Sequence, residues 1–313
     1  MTAYILFFII GVVILLYSTH FFVRQAEKIS HLLRISPLIV GSTIVAFGTS
    51  LPELAVSLTA TINKDIGLAM GNIVGSNITN VFLILPVGIL VGKLRIGTTK
   101  TQRNAYLMIG ITALFIFLYL LGVPGFLNGI VLLTAAVFVT LSQTLWGISG
   151  RSKEDAFRYK KPRPVKPKRS DYVHLTATVG GIISGGILTV MSIERIAEIT
   201  GYSTTMLGLS VTAIATSLPE LLTTIFSQRY NDEKIAIGDI IGSNIYNLSL
   251  VGGIVLLVST WETLKTMEGA MLIFATGIFS IIIVNFKGKI VPKKVGYILF
   301  GLYALYFYLL RGL

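Results

Sequence analysis

The sequence predicts an all-α integral membrane protein with ten transmembrane helices in two inverted-topology five-helix repeats. Three observations predict this fold class. Charged residues make up 13% of the 313 residues and the mean hydropathy is +0.80, whereas soluble proteins carry about 25% charged residues. Apolar stretches recur along the whole chain, and the first half of the sequence resembles the second. A soluble enzyme, a disordered protein and a fibrous protein are therefore excluded.

Ten apolar stretches are long enough to cross about 30 Å of hydrocarbon as helices. Since the chain has no cysteine, disulfides and thiolate metal sites cannot contribute to the fold. The ten predicted spans are residues 3–23, 36–62, 66–91, 104–122, 126–148, 173–198, 204–228, 234–258, 267–286 and 294–312.

Lys and Arg residues divide unequally between the two sets of connections that ten spans create. Of the 26 basic residues, 22 lie in the set that contains the strongly basic segment 149–172. The positive-inside rule places this set in the cytoplasm. We therefore expect a multi-pass protein of the plasma membrane with both termini outside. The basic segment is interpreted as a cytoplasmic linker, with contact to anionic lipid headgroups as the alternative. Nucleic acid is not an expected partner.

The chain matches itself at a shift of 167 residues. GSTIVAFGTSLPELAVSLTATI at 41–62 pairs with GLSVTAIATSLPELLTTIFSQR at 208–229, and GNIVGSNITN at 71–80 pairs with GDIIGSNIYN at 238–247. Because each copy has five spans, an odd number, the second copy must enter the membrane in the opposite orientation. Inverted repeats are typical of secondary transporters, whose substrate site lies between the two halves.

The repeat divides the chain into three parts. Residues 1–148 form a first repeat that contains the segment 41–91, residues 149–172 form the linker, and residues 173–313 form a second repeat that contains the segment 208–258.

Each copy places a glutamate inside an apolar span, Glu53 in the first and Glu220 in the second. A carboxylate at that depth is costly and indicates a functional site. The adjacent prolines, Pro52 and Pro219, each free one backbone carbonyl four residues back. Thr49 is four residues before Glu53, a spacing that places both on one face of a continuous helix. The same relations hold in the second copy.

Two polar stripes follow in the sequence. Asn72, Ser76 and Asn80 are spaced four apart, and so are Asp239, Ser243 and Asn247. Carboxylates, hydroxyls, amides and carbonyls together offer only oxygen ligands, which suit Na⁺, Ca²⁺ or Mg²⁺.

Two neighbouring carboxylates are neutralised by one Ca²⁺ or by several Na⁺. A site that cannot cross the membrane empty and charged favours exchange over uniport.

The doubled motif resembles the repeats of the cation/calcium exchanger superfamily, in particular the prokaryotic sodium/calcium exchangers. The resemblance covers all ten spans. It implies a central Ca²⁺ site with several Na⁺ sites, and sliding of the first and sixth helices as the access switch. We expect no cofactor, Ca²⁺ and Na⁺ as the transported ions, membrane lipid around the protein, and a functional monomer. The ligands that it implies are Thr49, Ser50, Glu53, Ser76 and Asn80, the equivalent Thr216, Ser217, Glu220, Ser243 and Asn247, and the backbone carbonyls of Ala46 and Ala213.

The chain departs from the family pattern at Asn247, where well-studied exchangers often have an aspartate. Asp239, two turns earlier, is the residue that would restore a nearby negative charge. Na⁺/Ca²⁺ antiport is the leading hypothesis. The alternative is an antiporter of the same fold with other coupling, either Ca²⁺/H⁺ or monovalent-selective exchange. A channel is a more distant possibility, and an enzyme is not expected because no His, Cys or Ser–Lys dyad accompanies the carboxylates.

Overall fold

The computed structural model describes most of the chain and is almost entirely helical. The described residues are 1–32, 46–96, 99–120, 125–149, 168–229, 233–259 and 266–310. The first half contains α1 (Thr2–Leu32), α2 (Ala46–Thr49), α3 (Leu51–Ile62), α4 (Ile66–Thr79), α5 (Leu85–Val91), α6 (Thr99–Leu120) and α7 (Gly125–Ser149). The second half contains α8 (Arg169–Thr200), α9 (Thr204–Leu207), α10 (Ala213–Thr216), α11 (Leu218–Arg229), α12 (Glu233–Tyr246), α13 (Gly252–Val258), α14 (Thr266–Asn285) and α15 (Lys293–Leu310).

The described helices form ten consecutive membrane units, as the sequence predicted. Four of these units are built from shorter pieces, namely α2–α3, α4–α5, α9–α11 and α12–α13. Eight units have a helical window long and apolar enough to span a membrane. The other two correspond to the predicted span 36–62, which is described only from residue 46, and to α15, which begins with two lysines. The predicted linker 149–172 lies mostly outside the described residues, and α8 already begins within it, at Arg169.

Two units form the interior of the bundle. In the apolar windows of Ile66–Val91 and Ala236–Val258, 83% of the positions are buried, against 28% in Thr2–Phe22 and 33% in Gly125–Leu145. The peripheral helices instead expose large apolar side chains, such as Phe7 on α1 and Phe138 on α7. Only lipid can cover so extensive an apolar surface. The protein is therefore a multi-pass membrane protein whose two inner units contain the polar stripes.

The two halves contact each other at backbone distance along α4. A Cβ atom placed on Gly75 would lie 2.8 Å from the Cβ of Ala213 and 2.8 Å from the Cα of Leu209. A Cβ on Gly208 would lie 2.7 Å from the carbonyl oxygen of Leu68. Since real Cβ atoms do not approach so closely, only glycine permits this packing. The contact positions the first polar stripe against the second repeat.

In the part of the chain that the structure describes, three π-helical turns interrupt the membrane units, at Asn80–Ile84, Gly208–Thr212 and Asn247–Val251. A π turn changes the backbone hydrogen-bonding pattern. In the turn Gly208–Thr212, a side chain of α15 donates to one of the backbone carbonyls. Tyr306 on α15 donates from its hydroxyl to the carbonyl of Leu209 at 2.7 Å. Tyr303, also on α15, hydrogen-bonds through its hydroxyl to Thr79 at 3.0 Å. α15 therefore contacts both α4 of the first repeat and the π turn Gly208–Thr212 of the second.

A short antiparallel contact closes one end of the bundle between the segment after α5 and the segment before α15. Ile96 donates its N–H to the carbonyl of Lys289 at 3.0 Å, and Val291 donates to Leu94 at 2.9 Å. Arg95 and Ile290 form the bridge between them. This backbone pairing joins the end of the third unit to the start of the tenth.

Candidate functional site

Both TSLPE segments break their helix at the serine. α2 ends at Thr49 and α3 begins at Leu51, with Ser50 between them at φ −84° and ψ 4°. Ser217 separates α10 from α11 with φ −83° and ψ 11°. Each proline thereby falls in the first turn of a new helix, where its missing N–H is tolerated. Each glutamate is also in that first turn, where the helix dipole favours a negative charge.

The two glutamates are fully buried and lie near each other. Glu53 and Glu220 are each 0% exposed. One carboxylate oxygen of Glu53, Oε1, accepts a hydrogen bond from the hydroxyl of Ser217 at 2.9 Å, so this side chain reaches the TSLPE segment of the other repeat. The charges of Glu53 and Glu220 are close enough to interact. Among the described residues, Oε2 of Glu53 and both carboxylate oxygens of Glu220 have no hydrogen-bond partner.

Each TSLPE threonine pairs with the polar stripe of the opposite repeat. Thr49 donates to Oδ1 of Asp239 at 3.2 Å, and its hydroxyl lies 3.3 Å from that of Ser243. In the equivalent arrangement, Thr216 donates to Oδ1 of Asn72 at 3.1 Å, and its hydroxyl lies 3.4 Å from that of Ser76. The structure thus contains two symmetry-related polar clusters, and each is assembled from both repeats.

The clusters correct one expectation from the sequence. Thr49 and Glu53 were predicted to act together on one face of a continuous helix, but the break at Ser50 directs their contacts to different clusters. Glu53 lies next to Ser76, Thr216 and Ser217, whereas Thr49 lies with Asp239 and Ser243. A carboxylate of one copy therefore meets the threonine of the other copy.

The remaining predicted ligands lie in the same inner segments, with different contacts. The hydroxyl of Ser50 is buried, and no described residue is its hydrogen-bond partner. The carbonyl of Ala213 accepts from the hydroxyl of Thr216 at 3.3 Å. Ala46 is the first residue of α2, and its side chain lies outside the described part of the structure.

Asn80 and Asn247, the last residues of the two polar stripes, are each the first residue of a π turn, a feature frequent at functional sites. Asn80 donates to the side-chain oxygen of Asn244 at 3.1 Å, and its own amide oxygen is unpartnered. Both amide atoms of the fully buried Asn247 also have no hydrogen-bond partner in the described part of the chain. In the described structure, no hydrogen bond joins either asparagine to a carboxylate.

Sequence reasoning missed two supporting residues of the site. Ser57, four residues after Glu53, accepts a hydrogen bond from the amide of Asn72 at 3.0 Å. Asn244 pairs with Asn80. The signal was available for Ser57, because its i, i+4 spacing from Glu53 continues the polar face of α3. For Asn244 the signal was weaker, because this residue is next to Ser243 and does not share the four-residue spacing of the second polar stripe.

The donor set is made of carboxylate, hydroxyl, amide and carbonyl oxygens. Within the described residues, no group of three His, Cys, Asp or Glu side chains is arranged to hold a metal ion, and no Lys or Arg forms an ion pair with Glu53 or Glu220. Such a site offers hard oxygen ligands drawn mostly from neutral groups, which suits alkali and alkaline-earth cations.

Comparison with known proteins agrees with this chemistry. Residues 3–145 and 172–311 match the family described as sodium/calcium exchanger protein. The putative antiporter CaxA of Alkalimonas amylolytica is 34% identical over 258 residues, which cover 80% of this chain and 79% of the relative. The sodium/calcium exchanger MaX1 of Methanosarcina acetivorans is 28% identical, with 81% and 82% coverage.

The fold is also similar to a solved one. The structure of the sodium-calcium exchanger NCX_Mj matches with a TM-score of 0.64 and 24% identity, covering 97% of both chains. The ten-helix, two-repeat membrane fold predicted from the sequence is thereby confirmed. Members of the matched family are transporters and not enzymes. The chain therefore belongs to the sodium/calcium exchanger protein family and is a cation antiporter of that type.

Proposed function

We propose that the chain exchanges Na⁺ for Ca²⁺ by alternating access, with both ions bound between the two TSLPE segments. The observation that carries the proposal is the pair Glu53 and Glu220, buried, mutually close and without an ion pair to Lys or Arg in the described residues. Two like charges taken out of water are strongly unfavourable unless a cation or protons neutralise them. A transported cation fulfils this need.

The neighbouring groups complete the proposed ion cage. Ser217 already donates to Glu53, and its hydroxyl oxygen retains lone pairs that a cation can use. Unpartnered oxygens on Ser50 and Glu220 are free to turn toward an ion. The proposed ligands are the side chains of Thr49, Ser50, Glu53, Ser76, Asn80, Thr216, Ser217, Glu220, Ser243 and Asn247, with the backbone carbonyls of Ala46 and Ala213.

Exchange follows from the cost of the empty site. One Ca²⁺ neutralises both glutamates, and Na⁺ ions can do the same in its place. The carrier with an empty, doubly charged site faces a large penalty for moving its carboxylates past hydrocarbon. Each ion is therefore released on one side only when the other replaces it.

The proposed access switch is the pair α1 and α8, the first and sixth membrane units. These helices pack side by side at backbone distance. A Cβ on Gly185 would lie 2.7 Å from the backbone nitrogen of Leu15, and one on Gly11 would lie 2.9 Å from that of Thr189. Small residues at such a contact let the two helix backbones pack closely against each other. The two helices are therefore suited to move as one body across the inner segments.

In this proposal the functional units are the repeats 1–148 and 173–313, joined by the cytoplasmic linker 149–172. The protein acts as a monomer in the plasma membrane, with both termini outside. The basis for this orientation is the excess of Lys and Arg in one set of connections.

Transport by the purified protein in liposomes tests the proposal. Vesicles loaded with Na⁺ and diluted into Na⁺-free medium should take up radioactive Ca²⁺, since the outward Na⁺ gradient drives the exchange. Vesicles with a pH gradient and no Na⁺ gradient should take up no more than protein-free vesicles. Uptake driven by the pH gradient alone would instead assign Ca²⁺/H⁺ coupling, and flux without any counter-gradient would indicate a channel.

A further inference from the structure

The seam between α1 and α8 is closed by small residues near its middle and contains a cavity nearer to one end. The two helices run antiparallel, and a Cβ on Gly181 would lie 2.9 Å from the Cβ of Ser18. Beyond this contact, toward the end of α1 and the start of α8, lies a cavity of about 240 Å³. Its other lining residues are Tyr17, Phe21 and Gln25 of α1 and His174, Ala177 and Thr178 of α8.

The cavity lies at the depth where the apolar part of α1 ends. The apolar window of this helix is Thr2–Phe22, and the helix itself continues to Leu32. Tyr17 and Phe21 have ring centroids 4.6 Å apart, and the exposed Arg24 follows one turn later. Aromatic rings next to a cation are typical of the membrane–water interface. The cavity is therefore at the level of the phospholipid headgroups.

One face of α1 connects the cavity to an apolar strip. Ile10, Ile14, Tyr17, Phe21 and Arg24 are spaced four, three, four and three residues apart, so they form one row along the helix. The first three of them are exposed. The row therefore begins as an apolar strip that an acyl chain can cover, passes the cavity, and ends at a cation.

The start of α8 adds positive charge to the same end of the seam. Lys168 and Arg169 are exposed, whereas the nearby Asp171 is buried and accepts a hydrogen bond from the backbone N–H of Lys168. This end also belongs to the set of connections that carries 22 of the 26 Lys and Arg residues. The imidazole of His174 adds an N–H donor in the cavity wall. Such surroundings are complementary to a phosphate diester.

One polar group in the cavity wall lacks a donor. Among the described residues, the buried side-chain oxygen of Gln25 has no hydrogen-bond partner. Thr178, on the opposite wall, donates to the carbonyl of Leu175 at 2.7 Å. A buried acceptor without a partner is costly, so a ligand with a donor group is favoured here. Phosphate oxygens only accept from such a wall, and a hydroxyl on the headgroup supplies the missing donor.

We propose that one anionic phospholipid with a hydroxyl-bearing headgroup binds at this seam. Its phosphate lies toward Arg24 and His174, its headgroup hydroxyl donates to Gln25, and one acyl chain follows the exposed strip of α1. The cavity takes only the headgroup region, because its volume is below the roughly 300–1,000 Å³ of pockets that enclose a drug-sized ligand.

The bound lipid bridges α1 and α8 beyond the point where Gly181 and Ser18 hold them together. Its effect on transport rests on the proposed function, in which the two helices move as one body, whereas the binding itself does not. A lipid that joins both helices stabilises this body at the end where the cavity separates them. Ca²⁺ uptake should therefore be faster in liposomes that contain the anionic lipid.

Native mass spectrometry of the detergent-solubilised protein tests the binding, with phosphatidylglycerol and phosphatidylcholine of identical acyl chains as probes. The wild type should retain one phosphatidylglycerol about 10-fold more tightly than phosphatidylcholine. Arg24→Gln should remove this preference. Ala177→Trp, which fills the cavity from an exposed position, should weaken phosphatidylglycerol binding by a similar factor. Arg195→Gln removes an exposed cation near the other end of α8 and is the matched control, with wild-type binding expected.

Equal retention of the two lipids by the wild type, or unchanged phosphatidylglycerol binding in both Arg24→Gln and Ala177→Trp, would overturn the inference. Displacement of the lipid by millimolar inorganic phosphate would also overturn it, because the site would then be one for a free phosphate ion. The wild-type comparison decides the matter even where a variant does not fold.

Transport in liposomes tests the consequence. Addition of phosphatidylglycerol to phosphatidylcholine should speed Na⁺-driven Ca²⁺ uptake more in the wild type than in Ala177→Trp, a comparison that cancels the effect of surface charge. An equal gain in both would overturn the link between the bound lipid and transport. Absence of Na⁺-driven uptake in every lipid would instead refute the proposed function and leave the binding result standing.

Discussion

The two buried glutamates show how a single side chain can serve the opposite half of the protein. Glu53 is part of the first repeat, but its carboxylate accepts a hydrogen bond from the hydroxyl of Ser217 in the second repeat. The sequence identifies both glutamates as functional candidates, since acids inside apolar helices are rare. It does not show which hydroxyl each one meets, because that contact joins residues 164 positions apart.

Replacement of either glutamate by glutamine tests its role as an ion ligand. Glu53→Gln and Glu220→Gln keep the volume of the side chain and remove its charge. Since loss of one charge from a buried ion site costs about 3 kcal/mol, we expect Na⁺-driven Ca²⁺ uptake to fall at least about 100-fold. Initial uptake rates in liposomes, at equal amounts of reconstituted protein, measure the effect.

Glu198→Gln is the matched control for these variants. Glu198 is on α8, its side chain is 61% exposed, and it pairs with Arg195 at 2.6 Å. An exposed pair of this kind contributes little to stability, so this variant should transport at the wild-type rate. Normal uptake by Glu53→Gln or Glu220→Gln would remove that residue from the site.

At the scale of the helices, the hydropathy of the sequence predicts where a membrane span lies, but it does not predict where a helix is broken or contains a π turn. The predicted span 66–91 coincides with α4, the following π turn and α5, Ile66 to Val91. The π turn at Gly208–Thr212 was not predicted, because one of its carbonyls depends on Tyr306, 97 residues away from Leu209. The breaks at Ser50 and Ser217 are easier to understand in retrospect, since each precedes a proline by two residues.

Substitution of Gly75 tests the contact between the repeats. In Gly75→Ala, the new methyl group would lie 2.8 Å from Ala213 and Leu209. Backbone and a neighbouring Cβ cannot move aside easily, so overpacking should destabilise the protein by about 1–3 kcal/mol. The melting temperature of the detergent-solubilised protein should fall, and Ca²⁺ uptake should fall with it.

Gly110→Ala is the control on α6. A Cβ at Gly110 meets no atom within 4 Å, and alanine favours a helix over glycine by about 0.8–1 kcal/mol. Its melting temperature should stay level or rise slightly. An equal loss of stability in both variants would show that the effect comes from the helix itself and not from the interface.

At the scale of the whole molecule, the repeat explains why two nearly equal clusters exist and why they are not identical. Symmetry places the same hydrogen bond at Thr49 and Thr216. The partner of Thr216 is the neutral Asn72, whereas the partner of Thr49 is Asp239, so the two clusters differ by one carboxylate. Neither the pairing between Thr216 and Asn72 nor that between Thr49 and Asp239 follows from local sequence pattern. Both depend on contacts between residues more than 140 positions apart.

The orientation of the molecule is the remaining expectation, and the absence of cysteine makes it directly testable. A single cysteine introduced as Thr2→Cys, near the start of α1, should react with a membrane-impermeant maleimide in intact cells. Ser152→Cys, in the basic linker, should react only after the membrane is permeabilised, since 22 of the 26 Lys and Arg residues belong to its set of connections, which the positive-inside rule assigns to the cytoplasm. The cysteine-free parent gives the background. The reverse pattern would invert the orientation, and labelling of both positions in intact cells would require an even number of spans between residues 2 and 152.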